Sequence, residues 1–298
     1  MVDLNRIATE QRNPDTMDID RVSTLEMVRE INREDAKVAL AVEKILPSIA
    51  QAIDQTALRL KKGGRLIYVG AGTSGRLGIV DASECPPTYS APPDMVMGLI
   101  AGGYPAIFKA VEGAEDSREL GRRDLEGIHL TEKDVVCGLA ASGRTPYVLG
   151  AMAYAREIGA LTLSISCSPG SEVDVQADIG MSPLPGPEAI TGSTRMKSGT
   201  AQKMILNMLS TGVMVRLGKV YSNLMVDVQP SNEKLVHRCV RIVSQAAGVE
   251  PEKAEAALKA CDYHCKTAIV MIVRGCTRGE AESLLEEHDG LVAEAIGR

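Results

Sequence analysis

Short apolar runs alternate along residues 65–181 with segments whose apolar residues recur every three or four positions. The runs are bounded by glycine, proline or polar residues, as buried strands are. Strands that alternate with helices form parallel βαβ units, with helices on both faces of the sheet. We therefore predict an α/β fold with a parallel sheet, whose strands lie in RLIYVGAG, MVMGLIAGG, DVVCGLAASG, LTLSISCSPG and ADIGMSPLPG.

Helical patterns flank this alternating region. In STLE, Ser23 and Glu26 have the spacing of a capping box, which predicts a helix start at Ser23. Apolar residues recur at helical spacing from Asp35 to Lys62, which predicts one helix that is stepped at Pro47. A long helix is predicted from Ser193 onward, and the prolines after Glu84 are predicted to end the helix that carries it.

These patterns divide the chain into three regions. Residues 1–54 are predicted to form an N-terminal arm and helices, and residues 55–218 the parallel-sheet domain. Residues 219–298 are predicted to form a small helical subdomain, because from about residue 231 the chain consists of helical segments and loops.

Composition narrows the possible partners. The 298 residues are 45% apolar and 24% charged, with a net charge of -6, one Phe and no Trp. These values fit a soluble globular protein and argue against a nucleic-acid partner, which favours basic and aromatic surfaces. No run approaches the roughly 20 apolar residues of a membrane span, and the N-terminus lacks the features of a signal peptide. We therefore expect a cytoplasmic protein without a membrane partner.

The cysteines do not predict a metal site. Seven cysteines are scattered along the chain without C-x-x-C pairs, which suits buried thiols in a reducing compartment. Cys261, His264 and Cys265 lie close together in sequence, but they lie in an apolar helical stretch without a second ligand pair. We predict that the protein binds no metal.

Two similar turns, residues 70–78 and 140–150, follow two of the predicted strands. Each opens a helix with Ser-Gly-Arg and offers hydroxyl groups. Small residues and the free N–H groups of a helix start favour an anion, and in parallel sheets ligands bind beyond the carboxyl ends of the strands. The turns therefore favour a sugar-phosphate site, with tight turns that bind no ligand as the alternative. The predicted ligands are Thr73, Ser74, Ser142, Gly143 and Thr145.

Nucleotide sites fit these turns poorly. No Walker lysine follows the first turn, and GAGTSG matches the dinucleotide fingerprint only nominally. The acidic residue expected about twenty positions later falls in a proline-rich stretch near Asp94. A third segment, PLPGPEAITGSTRMKSGTAQK, offers hydroxyls and cations at a helix start and predicts Ser193, Arg195 and Lys197 as further substrate ligands.

Four long motifs resemble a known family. VGAGTSGRLGIVDASECPPTY, VEGAEDS, AASGRTPYV and GPEAITGSTRMKSGTAQKMILNMLSTGVM are similar to segments of the N-acetylmuramic acid 6-phosphate etherases, of the sugar isomerase (SIS) superfamily. The opening TEQRNPDTMDID fits the same family. The resemblance implies a flavodoxin-like three-layer SIS domain. The glucokinase regulatory proteins share the SIS motifs, so a non-catalytic sugar-phosphate sensor is the alternative.

The resemblance also implies a chemistry. The family is made up of carbon–oxygen lyases that split the lactyl ether of N-acetylmuramic acid 6-phosphate in amino sugar catabolism and peptidoglycan recycling, without metal or nucleotide cofactor. Its two functional carboxylates correspond to Glu84 in SECPP and Glu115 in EGAED, although Glu112 and Asp116 lie close to the second. A homodimer is implied as well. An aldose–ketose isomerase, a third alternative, often uses a histidine, and the four histidines lie outside these loops.

Overall fold

The computed structural model describes residues 8–228, 230 and 232–297. The chain divides into two compact units. Within the described residues, the first unit comprises 8–82 and Asp94–Ser210, and the second comprises Ser83–Pro93 and 211–297. The division into three regions at residues 54 and 218 stays a prediction.

A five-stranded parallel sheet is built from described residues of the first unit. Its strands are β1 (Leu66–Gly70), β2 (Val96–Ile100), β3 (Val135–Leu139), β4 (Leu161–Ile165) and β5 (Ile179–Met181). Their order is β2-β1-β3-β4-β5. The predicted α/β class, the five strands and their parallel direction are confirmed.

The central strands are buried on both faces, as parallel strands covered by helices must be. All five residues of β1 and of β3 are buried, whereas the edge strand β2 is only partly buried at its three middle residues. One apolar cluster joins these strands to neighbouring helices. Its members include Ile67, Val69, Val136, Leu125, Tyr147, Val148 and Met152.

Helices connect and cover the strands. They are α1 (Thr24–Glu43), α2 (Leu46–Lys61), α3 (Gly72–Tyr89), α4 (Pro105–Phe108), α5 (Arg118–Gly127), α6 (Pro146–Ile158), α7 (Glu172–Gln176) and α8 (Lys197–Arg216). The helix start at Ser23 is confirmed, because its hydroxyl accepts the N–H of Glu26 at 3.3 Å. In the part of the chain that the structure describes, no helix combines the length and apolarity needed to cross a membrane.

The helix predicted over Asp35–Lys62 is two helices. The chain leaves the helical path after Glu43 and resumes it at Leu46. Pro47 lies in the first turn of α2, where its missing N–H removes no helical hydrogen bond. The proline therefore begins the second helix and does not kink a continuous one.

The prediction that prolines end the helix after Glu84 is wrong. Helix α3 runs through Pro86 and Pro87 to Tyr89. Both prolines lie in its last turn, and each lacks the N–H that would donate to the carbonyl four residues earlier, so the helix continues to Tyr89 without two of its hydrogen bonds. The N–H of Ser90 donates to the Pro86 carbonyl at 2.9 Å, and Ser90 ends the helix with a φ of 50°.

The second unit is largely helical. Its helices beyond α8 are α9 (Glu233–Ala247), α10 (Pro251–Ala260), α11 (Cys265–Arg274), α12 (Arg278–Glu287) and α13 (Val292–Ala295). A short antiparallel hairpin, β6 (Val220–Tyr221) with β7 (Leu224–Met225), precedes them and was not predicted. The unit has its own apolar core, which includes Val226, Ile242, Val243, Leu258, Ile269 and Val292.

Candidate active site

The two glycine-containing turns lie side by side at the carboxyl ends of two neighbouring central strands. Strands β1 and β3 are parallel neighbours, and Gly70 pairs with Leu139 at their carboxyl ends. From β1 the chain first adds a strand on one side of the sheet (β2) and then adds β3, β4 and β5 on the other side. Open α/β sheets bind ligands at this switch point, between β1 and β3. Tertiary structure thus joins the two turns into one candidate site.

In the first turn, the Ser74 hydroxyl already has a partner. It donates to Gln202 Oε1 at 2.8 Å, and both residues are buried. The amide of Gln202 is oriented by Ile165, because Nε2 donates at 3.3 Å to a carbonyl that can only accept. A serine hydroxyl has one proton, so Ser74 would have to release Gln202 before it donated to a phosphate. Thr73, beside it, is partly buried.

The second turn depends on a glycine. Gly143 has a φ of 68° and its N–H donates to the Ala140 carbonyl at 2.8 Å. A Cβ at this position would lie 1.9 Å from Ser171 Oγ, so both the backbone conformation and the packing require glycine. Ser142 and Thr145 flank it and are partly buried.

Thr145 is also the N-cap of α6. Among the described residues, its side chain accepts no capping hydrogen bond from that helix. The N–H groups of a first helical turn have no partner within the helix. The start of α6 therefore has a hydroxyl and backbone N–H groups without partners in the helix, and binding of an anion there stays a prediction.

Glu115 lines a cavity beside the first turn. The cavity measures about 270 Å³, and its wall includes Ala71, Gly72, Arg76, Val111, Glu112 and Glu115. Glu115 itself is exposed, in a short 3₁₀ helix (Ala114–Asp116). The structure thus brings one predicted carboxylate next to the predicted phosphate turn, with Glu112 as a second carboxylate on the same wall.

Two residues position the segment that leads to Glu115: Arg76 by hydrogen bonds, and Gly102 by allowing close packing. Arg76 donates from Nε to the Ile107 carbonyl and from Nη2 to the Ala106 carbonyl, both at 2.8 Å. A Cβ at Gly102, whose φ is 89°, would lie 2.7 Å from Val111 Cβ. These contacts bring residues 105–111 against the first turn of α3 and the end of β2, which places Glu115 at the cavity.

The third segment is built differently from the prediction. Helix α8 begins at Lys197, not at Ser193. Its first N–H groups, those of Lys197 and Ser198, donate to the two carboxylate oxygens of buried Glu188 at 2.8 and 2.9 Å. This carboxylate occupies the helix start that the sequence assigned to a substrate anion.

The cations of this segment differ in exposure. The Lys197 side chain is buried, and its Nζ donates to Glu34 Oε2 at 2.5 Å and to the Pro185 carbonyl at 3.1 Å. Arg195 is exposed and Ser193 is partly buried. A direct contact of Lys197, Arg195 or Ser193 with substrate stays a prediction, and the buried ion pair gives Lys197 a structural role.

Glu84 belongs to the second unit and lies on α3. Its side chain is exposed, between buried Ala82 and buried Cys85. Three residues before Glu84, in the first unit, the buried carboxylate of Asp81 anchors the helix. Asp81 accepts hydrogen bonds from the Tyr68 hydroxyl on β1, at 2.8 Å, and from Asn207 Nδ2 on α8, at 2.7 Å.

Sequence reasoning missed Arg76, Glu188, Gln202 and Glu34. Three of them are polar residues buried in the fold: Glu188, Gln202 and Glu34. Glu188 is the one charged residue in PLPGPEAITG, a signal that does not identify its partner, whereas Glu34 and Gln202 lie among other polar residues and gave no signal. The repeated Ser-Gly-Arg of the two turns pointed to Arg76 without showing that it binds backbone carbonyls.

The Cys261–Cys265 stretch is packed into the helical core. Cys261 Sγ donates to the His264 carbonyl at 3.4 Å, and burial raises the pKa of the Cys261 thiol. Within the described ranges, no three His, Cys, Asp or Glu side chains lie close enough together to bind a metal ion.

Comparison with known proteins places two segments of the chain in described domain families. The model of the glucokinase regulatory protein N-terminal SIS domain matches residues 48–156. The model of the C-terminal lid domain of glucokinase regulatory protein matches residues 222–267. The first match covers the two turns and Glu115, and the second covers the start of the helical tail.

Relatives match over the whole chain. The chain is 58% identical over 295 residues to the N-acetylmuramic acid 6-phosphate etherase of Vibrio vulnificus strain YJ016, covering 99% of this chain and 98% of that one. It is 58% identical over 293 residues to the protein of the same name from Caldanaerobacter subterraneus subsp. tengcongensis, covering 98% and 96%. N-acetylmuramic acid 6-phosphate etherase 1 of Vibrio cholerae serotype O1 is 56% identical over 297 residues, covering 100% and 99%.

A solved structure has a similar fold. The phosphoheptose isomerase from Francisella tularensis matches with a TM-score of 0.52 and 16% sequence identity, covering 65% of this chain and 100% of that one. At this identity the likeness shows the fold alone. Together with the SIS model match, it confirms the predicted SIS-type α/β domain.

Proposed function

Because the chain belongs to the N-acetylmuramic acid 6-phosphate etherase family, we propose that it converts N-acetylmuramic acid 6-phosphate into N-acetylglucosamine 6-phosphate and D-lactate. The observation that carries this proposal is identity of 56–58% with etherases over the whole chain. The regulatory alternative rests on the two domain-model matches, over residues 48–156 and 222–267.

The reaction is an elimination followed by addition of water. In the open-chain sugar, the C2 proton is weakly acidic because the C1 aldehyde is adjacent. A base removes this proton, the C3–O bond breaks, and lactate leaves as its ether oxygen is protonated. Water then adds at C3 of the unsaturated aldehyde and C2 regains a proton. The cycle therefore needs one group that accepts a proton and one that donates a proton.

Glu115 is the proposed base at C2. Its place on the wall of the cavity beside the first turn supports this role, because the substrate phosphate and C2 belong to one small molecule. Glu84 is the proposed acid that protonates the departing lactate and then assists water addition. This second assignment rests on the family motif SECPP.

The proposed phosphate ligands are the hydroxyls of Ser142 and Thr145 with the N–H groups around Gly143. The start of α6, which lacks a side-chain cap among the described residues, supports them. Thr73 and Ser74 in the first turn, and Ser193 and Arg195 in the third segment, are proposed as further substrate contacts. Lys197 is proposed to act on the site by holding the start of α8 through its pair with Glu34.

We also propose a homodimer that needs no metal or organic cofactor, as the family resemblance implies, and a cytoplasmic location, which the scattered cysteines favour. The molar mass measured by light scattering after size-exclusion chromatography tests the dimer. Fractionation of the source cell tests the location. Full activity after dialysis against EDTA is expected. Activity that vanishes on chelation and returns with one divalent metal would contradict the proposal.

The decisive experiment supplies N-acetylmuramic acid 6-phosphate and measures both products. We expect equimolar D-lactate and N-acetylglucosamine 6-phosphate from the wild type, and loss of activity by at least about 100-fold for Glu115→Gln. Glu112→Gln tests the neighbouring carboxylate, and Glu119→Gln, at an exposed glutamate on α5, is the matched control. A wild type that binds the sugar phosphate but releases no lactate would favour a sensor.

A further inference from the structure

A second, larger cavity lies entirely within the second unit. It measures about 710 Å³, which is in the size range of small-molecule sites. Its wall combines apolar side chains with a small group of charged ones, the usual composition of such sites. The residues used below are Lys219, Asp227, Val228, Lys266, Thr267 and Leu285.

A partly buried ionic cluster lies in this wall. Lys219 Nζ and Lys266 Nζ contact the two carboxylate oxygens of Asp227 at 2.8 and 3.1 Å. The side chains are only 20%, 15% and 20% exposed for Lys219, Lys266 and Asp227. The Ser90 hydroxyl donates to the Asp227 backbone carbonyl, which anchors the main chain at Asp227.

The cluster holds two cations and one anion. Burial lowers the pKa of Lys266, and neighbouring Lys219 lowers it further, against the opposing effect of Asp227. One aspartate therefore compensates the two ammonium groups only in part. The other acids of the wall, Asp262 and Glu286, are exposed, and Asp262 pairs with Arg278 at 2.7 Å.

The first turn of α11 forms part of the same wall. Cys265, Lys266 and Thr267 open this ten-residue helix and all line the cavity. His264 is its N-cap and, among the described residues, makes no side-chain capping hydrogen bond. The N–H groups of a first turn have no partner within the helix and favour negative charge.

We propose that this cavity is a second ligand-binding site, which binds the oxyanion of a small organic anion between Lys219, Lys266 and the first turn of α11. The apolar side chains of Val228 and Leu285 contact the body of the ligand. A carboxylate and a phosphate monoester both supply the required oxyanion. The site is independent of the proposed etherase reaction, which uses other residues.

The experiment is a titration of the full-length, isotope-labelled protein followed by amide NMR. Propionate supplies the carboxylate and methyl phosphate the phosphate monoester, each against sodium chloride at equal ionic strength. We expect saturating shifts of the Lys266 and Thr267 amides with at least one anion, and the anion that binds more tightly identifies the head group. Resonances of Ser142 and Gly143 report separately on the proposed substrate site.

Three variants test the origin of the shifts. Lys266→Met should weaken binding by about tenfold or more, because a charged hydrogen-bond partner is lost. Asp227→Asn should tighten binding, because the competing carboxylate becomes neutral. Lys253→Met, an exposed lysine on α10, is the matched control and should bind like the wild type. Circular dichroism confirms that each variant is folded.

The proposal fails if neither anion shifts the Lys266 and Thr267 amides beyond the chloride control. It fails equally if the shifts persist in Lys266→Met, or if Asp227→Asn weakens binding while remaining folded. A purely structural ion cluster predicts no saturable binding in any variant. The two hypotheses therefore give opposite results in the same titration.

Discussion

Lys197 at the start of α8 forms a buried ion pair with Glu34 on α1. The Nζ–Oε2 distance is 2.5 Å, and the two side chains are 1% and 2% exposed. Glu34 also accepts from Lys37 Nζ at 2.5 Å, and Lys197 donates to the Pro185 carbonyl at 3.1 Å. A lysine that the sequence presented as a substrate ligand thus ties the third segment of the candidate site to an N-terminal helix.

Removal of one partner of this pair should destabilise the protein. Lys197→Met leaves Glu34 buried with Lys37 as its remaining cation, and we expect a loss of about 3–5 kcal/mol in the free energy of unfolding. Urea unfolding followed by circular dichroism measures the change. Lys203→Met, on the exposed face of the same helix, should change stability by less than about 0.5 kcal/mol.

The double variant Glu34→Leu/Lys197→Met separates the pair from the rest of the packing. Because no charge is then left buried alone, it should regain most of the lost stability. A double variant as unstable as Lys197→Met would show that the loss comes from packing and not from an uncompensated charge.

The ion pair between Glu34 and Lys197 predicts that the free energy of unfolding depends on pH. Burial alone would raise the pKa of Glu34, but hydrogen bonds from Lys197 and Lys37 lower it to about 2, below the ordinary 4.5. The resulting stabilisation is complete above pH 4.5 and is lost as the pH falls toward 2. It amounts to about 3 kcal/mol. Urea midpoints between pH 6 and pH 2 should therefore fall less steeply for Glu34→Leu/Lys197→Met than for the wild type.

The two turn serines should respond differently to substitution. Ser142→Ala should raise the KM for the phosphorylated sugar by about 10- to 100-fold with little effect on stability, because a charged acceptor loses a hydroxyl partner. Ser74→Ala leaves buried Gln202 Oε1 without its donor and should cost about 1–3 kcal/mol of stability. Steady-state kinetics and urea unfolding measure both, with exposed Ser283→Ala as control. An unchanged KM in a Ser74→Ala/Ser142→Ala double variant would exclude these hydroxyls as phosphate ligands.

Gly143→Ala should damage the second turn. Its Cβ would lie 1.9 Å from Ser171 Oγ and 2.3 Å from Ser171 Cβ, at a φ of 68°. We expect lower stability and a raised KM, and partial rescue by adding Ser171→Gly, which removes the clash but not the backbone strain. Gly127→Ala is the control, since no atom lies within 4 Å of its added Cβ. A Gly143→Ala variant with wild-type stability would contradict this account of the turn.

Exchange of the C2 proton should distinguish the two glutamates. In heavy water, N-acetylglucosamine 6-phosphate keeps its C2 proton but has no lactate to lose. Glu115→Gln should fail to exchange that proton. Glu84→Gln should exchange it, yet release lactate from the true substrate about 10²–10⁴-fold more slowly. Proton NMR and a lactate assay follow the two steps, and the opposite pattern would interchange the roles.

Local sequence patterns determined the elements of the sheet and the identity of the family. Alternating apolar runs and helical spacings predicted all five strands, because backbone geometry sets the period of each element over a few residues. The four long motifs identified the etherase family, since motif order and length are properties of the chain itself. They also placed Ser142, Gly143 and Thr145 at a helix start.

Only the tertiary structure decided which polar groups are available to bind a ligand. Ser74 donates its proton to Gln202, Glu188 occupies the start of α8, and Lys197 pairs with Glu34, although each partner is distant in sequence or carries no local signal. A polar residue becomes a ligand or a structural contact according to the group that burial places beside it. That choice depends on packing between elements, which no local spacing encodes. The position of Glu115 beside the first turn depends in the same way on the contacts of Arg76 and Gly102.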